Sequence, residues 1–136
     1  MSAVLALISM LFLHCFADYT LQGILASMKQ REWWEKQIPN LDQTQYKNDY
    51  KAALLAHAFE WAFVVMLPLM YKAYLLRNTI DATQACIAYV SFLVGNTVLH
   101  YEIDTDKANA KLLNLVQDQA LHFAQIVFTW VVWFVM

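Results

Sequence analysis

The residues able to do chemistry are spread evenly along the chain. Its four histidines, His14, His57, His100 and His122, fall one in each of four long apolar segments. Each has a carboxylate about one helical turn away: Asp18, Glu60, Asp104 and Asp118. Residues three or four apart share a helix face, so each segment presents a His/carboxylate pair along one stripe. Imidazole nitrogens and carboxylate oxygens together suit Zn, Mn or Fe, and helix bundles build metal sites from such pairs. Four ionised carboxylates beside four neutral imidazoles would bury about four negative charges, which is prohibitive without compensation and would be cancelled by two divalent cations.

One or two divalent ions are therefore the expected cofactor, with His14, Asp18, His57, His100, Asp104, Asp118 and His122 as ligands. Glu60 is expected as an eighth ligand or as the general base, and Lys107 as a cation that stabilises developing negative charge. Gln22, Asn96, Asn114 and Gln125 extend the same stripes, as groups that orient metal ligands would.

The elements that must position these residues follow from composition. The chain has 136 residues, 60% of them apolar and 15% charged, with two glycines and two prolines. Apolar runs of about 20 residues, enough to cross a bilayer, recur four times. They lack the alternation of barrel strands, and in lipid the remaining solution is the helix. The expected fold is an all-α bundle of four transmembrane helices with a polar His/carboxylate cluster in its interior, forming one domain over 1–136. The helices are expected at about 2–28, 50–75, 81–104 and 111–136, with a kink at Pro68. An interfacial loop over 29–49 carries Trp33, Trp34 and Tyr46. Tight turns are expected at Arg77–Thr79 and at Asp106–Ala110. With no Lys or Arg before the first apolar run, that segment is expected to remain as a span rather than a cleaved signal.

Lys29, Arg31, Lys36, Lys47, Lys51, Lys107 and Lys111 belong to the first and third loops, against Lys72 and Arg77 in the second. The asymmetry places the first and third loops in the cytoplasm, both termini outside, and Trp130 and Trp133 toward the outer interface. All four His/carboxylate pairs then lie in the cytoplasmic half of the bilayer. Trp61 is read as lipid-facing or packing, Glu102 and Asp106 as interfacial, and Cys15 and Cys86 as small apolar residues without a disulfide.

A net charge of −2 gives no basic surface for nucleic acid. No GxSxG, HExxH or phosphate-binding glycine loop supplies another centre. The competing readings of the stripes are a hydrogen-bonded polar network between helices and a path for protons or metal ions.

The strings HCFADYTLQ, LLAHAFEW, LHYEIDTDK and DQALH resemble the small bacterial and phage membrane proteins of domain-of-unknown-function family 3307. The matching positions are His14, Asp18, Leu21 and Gln22; His57; His100, Asp104 and Lys107; and Asp118, Gln119 and His122. That family is more distantly similar to inner-membrane metal-dependent hydrolases. The resemblance implies a metal-binding membrane protein and supplies no substrate. The leading expectation is a metal-dependent hydrolase of a lipid or lipid-linked ester or phosphoester, with membrane lipid as its partner. Transport, or a phage-type membrane effector stapled by metal, are the other expected classes, and the bundle could also oligomerise.

Overall fold

The computed structural model describes residues 2–75 and 81–135, all of whose regular structure is helical. The helices are α1 (Ala3–Phe16), α2 (Leu25–Met28), α3 (Arg31–Gln37), α4 (Asp49–Val65), α5 (Leu67–Leu75), α6 (Ala82–Ala108) and α7 (Leu115–Val135). Helix α1 packs on α4, α4 on α6, α6 on α7, and α7 back on α1. The Arg77–Thr79 turn lies outside the described residues.

Polarity runs inside out. His14, His57, His100 and His122 are fully or almost fully buried, while Val4, Ile8, Phe12, Leu55, Phe59, Val94, Val98 and Phe128 are exposed. A water-soluble domain of this size buries such side chains and exposes histidine and aspartate. Segments Ala3–Leu21 and Ala82–Ala108 are each long and apolar enough to cross a membrane, and α4 with α5 makes a third if the bent pair is one span. The 21-residue α7 is outside that set, because Gln117, Asp118, Gln119, His122 and Gln125 dilute its apolar content.

Several breaks depart from the expected continuous helices. The first helix was expected to run to Met28, but Ala17–Leu21 relaxes into a π-helical turn, and Gly23 takes φ +46°. Glycine tolerates that left-handed geometry, so the chain turns there, and α2 folds back to pack on α4. The expected kink near Pro68 is present. The chain bends by 45° at Met66, and Pro68, lacking an N–H, sits in the first turn of α5 where no donor is required.

Helix α6 continues one turn past the expected Asp104 end to Ala108, since Thr105, Asp106 and Lys107 contain no breaker. Helix α7 starts later than expected. Asn114 Oδ1 accepts from Gln117 N and Gln117 Oε1 accepts from Asn114 N, both at 3.0 Å, a reciprocal cap. Asn114 is thus an exposed cap and not a member of the Asp118 stripe.

The interior on one side of the histidines is closed. Met10, Ala17, Trp61, Ala62, Val65, Met66, Leu69 and Ile126 form an apolar cluster. Beside it Gln125 Nε2 donates to Asn96 O (2.8 Å) and Oδ1 (2.9 Å), and Thr129 Oγ1 donates to Asn96 Oδ1 (3.0 Å). Asn96 Nδ2 donates in turn to Phe92 O at 2.9 Å. This network locks α6 to α7. Asn96→Leu should therefore lower the unfolding free energy by about 1–2 kcal/mol in a reversible detergent titration, because Gln125 and Thr129 lose their shared acceptor. No change in the midpoint would show that the network is dispensable.

Candidate metal centre

Asp104 is the hub of the cluster. Its Oδ2 lies 3.3 Å from His57 Nε2 and 3.7 Å from His100 Nε2, and its Oδ1 lies 3.4 Å from His122 Nε2. Asp18 Oδ1 is 3.5 Å from His57 Nε2, and Asp118 Oδ1 is 3.5 Å from His122 Nε2. Helices α4, α6 and α7 each turn one imidazole inward, and the π-helical turn supplies Asp18. Such turns recur at functional sites because the extra residue re-aims the side chains around it.

Two buried groups bring their ligand atoms within 4.8 Å of one another: Asp18, His57 and His100, and His100, Asp104 and His122. Both use His100. One imidazole nitrogen has one lone pair, so in this arrangement the groups are alternative seats for a single ion. His100 is also the most constrained ring, stacked on Trp61 at 4.1 Å and on His122 at 4.3 Å between centroids.

His14 behaves differently from the other three histidines. The Trp61 indole N–H, which can only donate, reaches His14 Nδ1 at 2.9 Å. His14 Nδ1 is therefore the bare nitrogen and Nε2 carries the proton, which it donates to Gln119 Oε1 at 3.0 Å. Gln119 Nε2 then donates to Asp18 Oδ2 (3.0 Å) and Asp118 Oδ2 (3.1 Å). Every bond points the same way, from Trp61 through His14 and Gln119 to two carboxylates. Both His14 nitrogens are engaged, leaving no lone pair for an ion, so the expected ligand role of His14 gives way to an orienting one.

Glu60 also departs from expectation. It is half-buried and makes no hydrogen bond or ion pair among the described residues, whereas its neighbour Trp61 is buried at the centre. His57 finds its carboxylates on other elements, Asp18 and Asp104. The four-residue spacing from His57 thus selects Trp61 for the interior and leaves Glu60 on its flank.

Lys29 is the residue that sequence reasoning missed most clearly. Its Nζ meets Asp104 Oδ2 at 2.7 Å, and only 13% of its side chain is exposed. The turn at Gly23 brings it there, and Asn109 fixes its backbone. Asn109 Nδ2 donates to Lys29 O at 3.1 Å and its Oδ1 accepts from Arg31 N at 2.8 Å. Lys107 approaches Asp118 Oδ2 at 3.9 Å.

A cleft of about 270 Å³ opens onto these groups, lined among others by Asp18, Gln22, Lys29, Lys107, Lys111 and Asp118. Lys111 at its wall holds φ +57°, a strained backbone for a residue with a side chain. His122 Nε2 and Asp118 Oδ1 are buried and approach each other at 3.5 Å without a well-formed hydrogen bond. Native structures rarely leave such groups unmatched, and an ion with its water would match both. The donor set fits a divalent cation of the Zn, Mn or Fe kind.

Comparison with known protein families, curated proteins and solved structures finds no match. The chemistry of the site therefore rests on its geometry.

Histidine ¹⁵N spectra should show His14 as a single neutral tautomer protonated at Nε2, and Trp61→Phe should release it into a mixture. A His14 protonated at Nδ1 in the parent protein would contradict the directional chain.

Proposed function

We propose that the chain is an integral membrane protein with a divalent metal centre, acting as a hydrolase on an ester or phosphoester of a lipid or lipid-linked substrate. In this reading α1, the bent pair α4–α5, α6 and α7 all span the inner membrane, with both ends of the chain outside the cytoplasm. Helix α7 crosses despite its polar stripe because that stripe is covered by its neighbours. The resemblance to family 3307 belongs to the same proposal. The observation that carries it is the convergence of His57, His100, His122, Asp18 and Asp104 beside two orphaned buried atoms, with a cleft opening from them.

Asp18, His57 and His100, or His100, Asp104 and His122, would hold the ion. When bound, it supplies Lewis-acid polarisation of the ester and a lowered pKa for water. The protein's own groups do the rest. Asp118, outside both ligand groups and facing the cleft, takes a proton from the attacking water, the role expected of Glu60. The bond from water oxygen to phosphorus or carbonyl carbon forms as the bond to the leaving oxygen breaks. Asp118 then returns the proton to that oxygen. Lys107 neutralises the negative charge that builds up on the non-bridging oxygens. The His14–Gln119 chain holds Asp18 and Asp118 in orientation.

Transport is the weaker reading, because the apolar cluster and the Asn96–Gln125–Thr129 network close the side away from the cleft.

Elemental analysis, melting temperature in detergent, and product release from a lipid ester and phosphoester panel test the proposal together. His100→Ala, which removes the shared ligand, should lose bound metal and activity and lower the melting temperature. Asp118→Asn should keep metal and lose activity by about 10²-fold or more. Glu60→Gln should match the parent in all three. Parental metal content in His100→Ala would reduce the cluster to a polar network. Loss of activity alone in Glu60→Gln would restore Glu60 as the base.

A further inference from the structure

The lysines of the cleft sit where a metal ion would compete with them. Three carboxylates, Asp18, Asp104 and Asp118, share the cleft with three ammonium groups, Lys29, Lys107 and Lys111, so their charges cancel before any ion is bound. A divalent ion would leave two positive charges in a partly buried cleft, where uncompensated charge is costly. An ion on His100, Asp104 and His122 would also compete with Lys29 for Asp104, since Lys29 Nζ lies at 2.7 Å from the same Oδ2 that faces His57 and His100.

Asn109 anchors the Lys29 backbone beside the cleft through Lys29 O and Arg31 N, which keeps the ammonium within reach of it.

Resting on the metal-centre reading above, we propose that Lys29 gives up Asp104 on metal loading and, together with Lys107, binds the oxygens of a phosphate group in the cleft. Several features select phosphate. Lys29 and Lys107 approach different carboxylates, so an anion with several divergent oxygens can meet both, and the surplus positive charge suits a phosphate anion. The N-terminus of the 21-residue α7 lines the same cleft at Leu115 and adds partial positive charge. Lys111 stands on the wall as a third cation. Gln22 Oε1, also on the wall, is buried without a donor, and a hydroxyl on a headgroup or on hydrogenphosphate would satisfy it.

Lys29 is then a competitor of the metal and a ligand of the phosphate, so its removal should move the two affinities in opposite directions. The full chain in maltoside, a phosphorus-free detergent, is titrated with Mn²⁺ and the bound ion counted by electron paramagnetic resonance. Inorganic phosphate and a short-chain phosphatidylglycerol are added separately, and broadening of their ³¹P lines by the bound ion is measured against His100→Ala as blank. Lys29→Met should bind Mn²⁺ several-fold tighter than the parent while binding phosphate about ten-fold more weakly, the worth of one charge-assisted hydrogen bond. Lys107→Met should also weaken phosphate binding and leave Mn²⁺ bound. Broadening by inorganic phosphate alone supports the proposal with a soluble ligand, and broadening by the lipid supports a headgroup.

Mn²⁺ bound with no specific ³¹P broadening, or unchanged phosphate binding in both variants, overturns the proposal and leaves the metal reading standing. Failure of the parent to bind Mn²⁺ overturns both.

Discussion

Everything in the interior is arranged around the cost of burying Asp104. A carboxylate placed among helices, with apolar side chains on their outer faces, survives only if its oxygens are matched, and here three imidazoles and one ammonium group converge on it. Those partners come from α4, α6, α7 and the end of α2, so satisfying one side chain fixes four elements relative to one another. The hydrophobic effect gives little direction to helix association in lipid, which makes a polar hub of this kind a natural source of specificity. The apolar cluster around Trp61 then fills the space that the hub leaves.

Trp61 couples the two systems. Its ring face packs on His100 while its N–H sets the protonation of His14, so one side chain orients a candidate ligand and starts the chain of donors toward Asp18 and Asp118. A phenylalanine could supply the packing but not the donor. The indole is used for both its face and its edge.

Much of this was legible in the sequence. Histidine at one-turn spacing from a carboxylate inside apolar runs marked Asp18, His57, His100, Asp104, Asp118 and His122, because helical periodicity alone puts such pairs on one face. The all-helical class followed from apolar run length and scarce glycine. What periodicity could not convey is which of two neighbours enters the core. Glu60 and Trp61 stand three and four residues from His57, and the choice between them is made by packing against α1 and α6. Lys29 was hidden for another reason. Its role depends on the left-handed turn at Gly23 and the grip of Asn109, both tertiary, whereas in the sequence it is one more basic residue after an apolar segment. Gln119 stood in plain view beside Asp118, but its use as a relay appears only when His14 is found with both nitrogens engaged.

The distribution of the cluster along the chain has a consequence for biogenesis. Asp18 and His57 lie in the first half of the chain and meet directly, whereas His100 and Asp104 follow on α6 and His122 and Asp118 on α7. During synthesis the early helices can pair Asp18 with His57, but Asp104 enters before the α7 imidazole that will face it has been made. Lys29 and His57, both synthesised earlier, are the partners ready to receive that carboxylate. Of the two, the ammonium group brings a permanent positive charge, a counter-ion for the buried carboxylate before the final helix arrives.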